Sequence, residues 1–234
     1  MKVLFIKHDH LSPEGEVGAR FAERGYTVVD HLVVPPEHFD TPDVEPHFPD
    51  PADFDVIVPL GAPWAAYDDA LVGRWVQPEL ELLRSAHEIG VPVLGICFGG
   101  QLLALAHGGT VARAPGPEIG WHDVQSDDEQ VVPSGPWFQW HFDRWRLPAQ
   151  ATEVARNPAA SQAFVLGRNL AVQFHPELDS RTLGGWLGNG GERQLVEHGI
   201  DAEALLHTTR GHDERSRRRA HQVVDGFLDQ VATR

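Results

Sequence analysis

The single cysteine of the chain, Cys97, lies in a sequence context typical of an enzymatic nucleophile. It stands between two glycines in the segment Val91–Gln101, VPVLGICFGGQ, so the local pattern is G-x-C-x-G. A reactive side chain at a sharp strand-to-helix turn needs small neighbours, because the turn strains the backbone and brings adjacent segments close. This position also puts the sulfur near a helix N-terminus, which favours the thiolate. The pattern predicts a thiol nucleophile, and the alternative interpretation is a buried cysteine that acts as a small apolar residue.

A candidate base for this thiol follows a second apolar run, Leu170–Phe174, which ends in His175-Pro176-Glu177. Residues two apart on an extended chain point to the same side, so the imidazole and the carboxylate can lie side by side. Pro176 prevents a helix from starting at this point. A carboxylate next to an imidazole sets its tautomer and stabilises the imidazolium that forms when the ring takes a proton. Alone, this tripeptide is also typical of a simple strand-end turn, but together with Cys97 it predicts a Cys-His-Glu triad.

The elements that must position these groups indicate an α/β fold. Short β-branched runs alternate with helical patterns in the first half, which is typical of a parallel sheet covered by helices. The second half changes to shorter strands separated by turns, and the chain becomes helical from Asp179 onward. Strands are predicted at 3–6, 26–34, 55–60, 91–96, 110–114, 121–125, 137–142, 162–166 and 170–174, and helices at 14–24 and 70–89 and in a run that follows Cys97 and ends at Ala106.

Residues 35–53 contain six prolines and six acidic residues, which predicts a long loop. Loops of this length in compact domains are often functional rims, although a surface bulge fits the composition equally well.

Composition narrows the function classes. The chain has 234 residues and a formal net charge of −15, which disfavours binding to nucleic acid or to anionic membranes. Apolar residues make up 41% and charged residues 23%, as in globular proteins. A single cysteine excludes an intrachain disulfide and a cysteine zinc cluster. Lys7, His8 and Asp9 interrupt the first apolar run, which is then too short for the apolar region of a signal peptide. No stretch approaches the roughly 20 apolar residues of a membrane span. A cytoplasmic location is therefore expected.

The fourteen histidines raise the question of a metal site. The best candidate segments are His8-Asp9-His10 and His141-Phe142-Asp143, but neither has an evident third ligand nearby in the sequence. We therefore predict no metal.

Taken in order, the segments GICFGGQ, EIGW at Glu118–Trp121, and QFHPE resemble class I (triad) glutamine amidotransferases, and within them the stand-alone, GMP-synthase-like branch. The resemblance extends over essentially the whole chain. It implies a flavodoxin-like sandwich with a central, mostly parallel sheet and a smaller antiparallel sheet. It further implies a single domain over residues 1–234, of which 179–234 form a helical C-terminal tail.

The resemblance also implies roles for individual residues. Cys97 would be the nucleophile, His175 the general acid and base, and Glu177 its orienting partner. The segment Gly61-Ala62-Pro63 matches a Gly-Gly-Pro loop, so the backbone N–H groups of Ala62 and Phe98 would form the oxyanion hole, with Ala62 in place of the usual glycine.

Substrate contacts are implied at four positions. Gln101 matches a glutamine that contacts the amino-acid end of the substrate, and Trp140-His-Phe-Asp143 matches a W-H-G-D segment that lines the same pocket, with Phe142 in place of glycine. The substrate-binding residues predicted in this way are Gly61, Gln101, His141 and Phe142.

The implied reaction is hydrolysis of the glutamine side-chain amide through a thioester on Cys97, without a cofactor. No second domain is evident, so the ammonia acceptor is expected on a separate synthase subunit. The main alternative is a self-sufficient γ-glutamyl hydrolase or peptidase. Two further hypotheses are an α/β-hydrolase of the dienelactone-hydrolase type and a non-catalytic subunit on the same scaffold.

Overall fold

The computed structural model describes residues 1–234, and its first half alternates strands with helices as predicted. The elements of this half are β1 (Lys2–Lys7), α1 (Gly15–Glu23), β2 (Thr27–Leu32), β3 (Val56–Pro59), α2 (Asp69–Glu88), β4 (Leu94–Ile96) and α3 (Phe98–Ala106). The predicted helix at 70–89 persists through Pro78. The predicted strand at 91–96 is shorter, since only Leu94–Ile96 forms a ladder, with Val93 making an isolated parallel bridge to Ile57.

The second half consists of antiparallel strands followed by helices. Its strands are β5 (Thr110–Ser126), β6 (Gly135–Arg146), β7 (Thr152–Arg156), β8 (Ser161–Leu166) and β9 (Asn169–Val172). Its helices are α4 (Ser180–Trp186), α5 (Glu192–Glu197) and α6 (Ala202–Gly226).

Two predictions for these strands were wrong. The segments 110–114 and 121–125 belong to one long strand, β5, because β6 pairs with it on both sides of a register shift between Arg113 and Glu118. The prolines and the glycine between those positions suggested a break, and the shift accommodates them within the strand instead. Strand β7 was not predicted, because its sequence TEVAR alternates only weakly.

The sheet topology places β4 and β9 side by side. Strands β2, β1 and β3 form a parallel sheet in that order, and the bridge from Ile57 to Val93 connects β3 to the segment before β4. Strand β4 then pairs in parallel with β9, which continues through antiparallel β8, β7, β5 and β6. The carboxyl ends of β4 and β9 therefore meet at one edge, where α/β sheets place their binding sites.

The core consists of apolar layers on the two faces of the sheet. Residues of β1 alternate between them, because successive side chains on a strand point to opposite faces: Val3 and Phe5 join one layer, Leu4 and Ile6 the other. The first layer includes buried residues of α1 and α6, and the second those of α2 and α3. Burial on both faces explains why the strands are continuous apolar runs.

The loop predicted at 35–53 contains only two short 3₁₀ turns, Pro36–His38 and Pro51–Asp53. It is anchored on α2, where the indole Nε1 of Trp75 donates to the carbonyl of Pro42 at 2.9 Å. Its Phe39 reaches the cavity described below. This contact favours the functional-rim interpretation of the loop over a surface bulge.

The helical region after residue 179 was also predicted. Asp179 caps α4 and Asp201 caps α6 through side-chain bonds to backbone N–H groups. A break at Leu187–Gly191 separates α4 from α5 and has non-helical backbone angles at Asn189 and Gly190. None of the helices combines the length and apolar character that crossing a membrane requires.

Candidate active site

Cys97 forms a strained turn between β4 and α3. Its φ is 51°, and it is the only non-glycine residue of the chain with a positive φ. L-residues seldom adopt this region, and such strain is found mostly at functional sites. The surrounding structure holds the turn, since the Cys97 N–H donates to the Val172 carbonyl of β9 at 2.7 Å and the Gly99 N–H donates to the Leu60 carbonyl at 2.9 Å.

The glycines on either side of Cys97 permit this turn. A Cβ on Gly99 would overlap the carbonyl oxygen of Pro59, and a Cβ on Gly95 would lie 2.7 Å from the carbonyl oxygen of Gly99. Neighbouring backbone therefore fills the space that a side chain would need. These contacts are the physical reason for the G-x-C-x-G spacing.

His175 lies three residues after the end of β9 and forms a buried pair with Glu177. Its ring Nδ1 lies 2.7 Å from Glu177 Oε1, and the two side chains are 4% and 1% exposed. The other ring nitrogen, Nε2, is buried without a hydrogen-bond partner in the protein. Burial of the ring disfavours its charged form, but the negative charges of Glu177 and the Cys97 sulfur outweigh this effect and raise the pKa of His175 well above its usual value.

Gly61 brings Cys97 and His175 together. A Cβ placed on Gly61 would lie 3.1 Å from His175 Cε1 and 3.9 Å from Cys97 Cβ. Both side chains therefore pack against the same glycine. Ala62 and Phe98, whose N–H groups were the predicted oxyanion donors, line the cavity together with Cys97.

Two buried glutamines extend from the sulfur into the protein. Gln173 Nε2 donates to Cys97 Sγ at 3.6 Å, and Gln101 Nε2 lies 3.4 Å from Gln173 Oε1 and 3.5 Å from the Asp143 carbonyl. Gln101 was predicted from its motif. Gln173 was not predicted as a site residue, although it is the first residue of the QFHPE segment.

A cavity of about 290 Å³ opens over these groups. It is lined by residues that follow β1, β3, β4 and β9, by residues of α3, β5, β6 and α5, by Phe39, and by the last residue of α4 and the segment after it. The lining includes Gly61, Ala62, Cys97, Phe98, Gln101, Trp140, His141, Phe142, Asp143, His175 and Trp186. All the predicted site residues line this cavity except Glu177, which lies behind His175.

Two tryptophans form a wall of the cavity. The Trp186 ring meets the His175 ring edge to face at 5.1 Å and the Trp140 ring at 5.9 Å. The indole of Trp186 donates to the Leu11 carbonyl at 3.2 Å, and that of Trp140 donates to Gln194 Oε1 at 2.9 Å. Trp186 was missed, because it comes from a helix with no motif.

His141 makes one internal hydrogen bond and lies close to a buried carboxylate. Nδ1 lies 2.9 Å from the Asp143 carbonyl, and Nε2 lies 3.3 Å from Glu118 Oε2. Burial of Glu118 opposes its ionisation, but hydrogen bonds from His141 and Asn157 prevail and lower its pKa. The adjacent Phe142 carries the guanidinium of Arg113 over its ring at 4.6 Å.

The candidate metal ligands do not assemble into a site. No cluster of three or more His, Cys, Asp or Glu side chains is arranged to hold an ion. His8 contacts Gly61 and Glu79, and the ring of His10 packs against Phe39.

Comparisons with known proteins identify the family of the chain. The model of the family "Glutamine amidotransferase class-I" matches residues 23–187. The GMP synthase of Aeropyrum pernix is 40% identical over 113 residues, which are 44% of this chain and 22% of that protein. A relative from Sulfurisphaera tokodaii, named as one subunit of a glutamine-hydrolysing GMP synthase, is 35% identical over 136 residues, 54% of this chain and 69% of that protein. The chain spans about a quarter or less of the longer GMP synthases it matches.

A solved structure matches nearly the whole chain. The glutamine amidotransferase of Thermotoga maritima superposes with a TM-score of 0.84 at 25% identity, covering 98% of this chain and 99% of that one. The family match and the shared fold together lead to one conclusion: the chain belongs to the class I glutamine amidotransferases, is an enzyme of that family, and resembles the glutamine-hydrolysing subunit of GMP synthase.

Proposed function

We propose that this chain cleaves the side-chain amide of glutamine to glutamate and ammonia, with Cys97, His175 and Glu177 as its catalytic triad. The observation that carries the proposal is the meeting of a strained cysteine and a buried His–Glu pair at Gly61. A nucleophile, a base and a group that orients the base are the parts that acyl transfer requires.

The first half of the reaction forms a thioester. The Cys97 thiolate attacks the amide carbon, and the resulting oxyanion accepts hydrogen bonds from the N–H groups of Ala62 and Phe98. His175 gives its proton to the nitrogen, the C–N bond breaks, and ammonia leaves. The raised pKa of His175 supports this step, because the ring then carries the proton at neutral pH.

The second half releases glutamate. His175, now neutral, takes a proton from a water molecule as its oxygen attacks the thioester carbon. The C–S bond breaks, and the thiolate of Cys97 returns beside the protonated ring. Glu177 stabilises the charged ring throughout, since its carboxylate accepts the hydrogen bond from Nδ1.

Gly61, Gln101, His141 and Phe142 are proposed to contact the amino-acid part of the substrate. Their common place in the lining of the cavity supports this assignment. Nδ1 of His141 already binds the Asp143 carbonyl, so part of its contribution is to hold that carbonyl and the adjacent backbone in place.

The ammonia is proposed to pass to an acceptor on a separate synthase subunit. The support is the similarity to relatives named as one subunit of a glutamine-hydrolysing GMP synthase, since such a name implies a partner chain. The alternative, a self-sufficient hydrolase of γ-glutamyl amides, is favoured by one observation: the wall formed by Trp140 and Trp186 offers an apolar surface next to His175.

A panel of substrates tests both functions. The purified protein is assayed for glutamate release from glutamine, γ-glutamyl dipeptides and γ-glutamyl amides, with Cys97→Ala as the control. In parallel, a glutamine-analogue chloroketone is used to alkylate Cys97, which requires no partner. We expect the chloroketone to alkylate Cys97. Among the substrates, we expect glutamine to have the highest kcat/KM. A higher kcat/KM on γ-glutamyl peptides would replace the proposal by the hydrolase alternative, and absence of Cys97 alkylation would overturn both.

A further inference from the structure

A buried histidine–glutamate pair outside the proposed triad lies behind the cavity. His8 follows β1 and Glu79 lies on α2, and both side chains are completely buried. Nε2 of His8 is 3.0 and 3.1 Å from the two carboxylate oxygens of Glu79, while Nδ1 is 3.1 Å from the carbonyl oxygen of Gly61. Neither residue lines the cavity, and neither has a role in the reaction described above.

The contacts of His8 determine its protonation. The Gly61 carbonyl only accepts hydrogen bonds, and so does an ionised carboxylate. Because the ring faces an acceptor at each nitrogen, it satisfies both only when both nitrogens carry a proton. Burial disfavours the charged ring, but the charge of Glu79 outweighs this and raises the pKa of His8. The raised pKa favours an imidazolium beside the carboxylate, and Nδ1 of His8 donates a hydrogen bond to the Gly61 carbonyl.

The acceptor of that bond belongs to the peptide that joins Gly61 to Ala62. The chain has no cis peptide bond, so in this unit the C=O and the N–H point in opposite directions. A bond that holds the Gly61 carbonyl toward His8 therefore turns the Ala62 N–H away from His8. The His8 ring also packs edge to face on Phe98 at 4.8 Å and stacks on Trp75 at 5.4 Å. The buried His8 ring thus contacts both Phe98 and the Gly61–Ala62 peptide. The proposed oxyanion donors are the backbone N–H groups of Phe98 and Ala62.

We propose that His8 and Glu79 are positioning residues that fix the orientation of the Gly61–Ala62 peptide for oxyanion binding. The inference rests on the proposed function, because it presupposes that the Ala62 N–H is an oxyanion donor. A charged donor on the carbonyl also polarises the peptide and makes its N–H a stronger donor, as in other chains of hydrogen bonds in low-dielectric surroundings. The remote pair thereby stabilises charge that develops only in the transition state.

Two substitutions of His8 separate positioning from packing. In His8→Asn the amide nitrogen takes the place of Nδ1 and still donates to the Gly61 carbonyl. In His8→Gln it takes the place of Nε2, so the bond to Glu79 remains and the bond to Gly61 is lost. Both variants are neutral and both leave a smaller side chain. His107→Gln, at the far end of α3, is the control for loss of a histidine elsewhere.

We expect His8→Gln to lower kcat for glutamine by about 10- to 100-fold with little change in KM, since loss of one oxyanion donor costs about 100- to 1,000-fold. His8→Asn is expected to keep most of the activity, and His107→Gln all of it. Equal losses in His8→Asn and His8→Gln, or a rise in KM without a fall in kcat, would overturn the positioning role.

A second measurement covers the case in which either variant is unstable or the protein turns over slowly. An aldehyde analogue of glutamine adds to Cys97 and forms a tetrahedral adduct whose oxygen mimics the oxyanion, whereas the carboxyl group of bound glutamate stays planar. His8→Gln should weaken aldehyde binding by the factor lost in kcat and leave glutamate binding within about threefold. Equal weakening for both ligands would overturn the proposal.

Failure of this inference is distinguishable from failure of the proposed function. If the wild-type protein releases glutamate and His8→Gln retains its kcat, only the positioning role is wrong. If wild-type Cys97 reacts with neither the aldehyde nor the chloroketone, the proposed function itself is wrong.

Discussion

Two of the buried histidine–glutamate pairs in the molecule, His175–Glu177 and His8–Glu79, lie against Gly61. In the pair His175–Glu177, one ring nitrogen binds the carboxylate and the other has no partner in the protein. In the pair His8–Glu79, one nitrogen binds the carboxylate and the other faces the Gly61 carbonyl. Both rings have a raised pKa, because a buried carboxylate faces each of them and outweighs the effect of burial.

The difference between the pairs shows that residue type does not decide the role. A ring with a free nitrogen at a cavity can move a proton, whereas a ring with two internal partners can only hold a neighbouring group in place. The predictions below compare the pairs, starting with the variant expected to have the largest effect.

Removal of the ring with the free nitrogen should have the largest effect. His175→Ala is expected to lower kcat for glutamine by about 10⁴-fold or more, because no other group can protonate the leaving ammonia. The measurement is steady-state glutamate release, with circular dichroism as the control for folding. A loss no greater than that of His8→Gln would remove the distinction between the pairs.

Neutralisation of Glu177 should have a smaller effect on rate and a defined effect on pH dependence. Glu177→Gln keeps a hydrogen-bond acceptor near Nδ1 but removes the charge that raises the pKa of His175, so kcat should fall by about 100-fold. The pKa of His175 should fall as well, and the alkaline limb of the kcat profile should move to lower pH. The check is a pH–rate profile of both proteins, and an unmoved limb would contradict the assignment.

A methyl group at the residue the two pairs share should have an intermediate effect. Gly61→Ala would put Cβ 3.1 Å from His175 Cε1, so the ring must shift by a few tenths of an ångström. A fall in kcat of about tenfold is expected, because small misplacements of a catalytic group reduce rates strongly. Ala62→Gly is the matched control, and its kcat should stay within about threefold of wild type. Similar losses in Gly61→Ala and Ala62→Gly would show that the loop is sensitive to any substitution, and would contradict displacement of His175 as the cause.

The smallest effect should appear in stability. Glu79→Gln removes the charge partner of His8, and the wild type should exceed it in free energy of unfolding by about 2 kcal/mol at acidic pH. The pKa of His8 is higher in the folded protein than in the unfolded chain, where it is about 6.5. The difference in stability is therefore fully present below about pH 6.5 and is lost as the pH rises through the raised pKa of the folded protein. Denaturant unfolding at a series of pH values measures the margin, and one that grows with pH would contradict the charged pair.

The sequence was informative where chemistry and spacing coincide. The pattern around Cys97 and the tripeptide His175-Pro176-Glu177 predicted groups that the structure brings together, although residues 173–177 form a bend and a turn after β9 and not the extended strand that was expected. The alternation of strands and helices in the first half was likewise predictable, since parallel strands buried on both faces form continuous apolar runs.

Other features depend on contacts that no local pattern records. His8 and Glu79 are 71 positions apart, and their pairing follows from the packing of α2 beside the end of β1. Trp186 reaches His175 from a helix without a motif, and β5 continues through its central irregularity because β6 pairs with it on both sides. Each of these results from tertiary packing overriding local preference.

The strained thiol of Cys97 also has a consequence for redox chemistry. Oxidation of a thiolate gives a sulfenic acid, which many proteins protect by forming a disulfide with a second cysteine. These 234 residues contain no second cysteine, and Cys97 is 5% exposed in a turn closed by backbone on both sides. Peroxide that reaches the cavity would therefore inactivate a molecule by oxidising its single thiol. Recovery would depend on a small external thiol able to enter the same opening as the substrate.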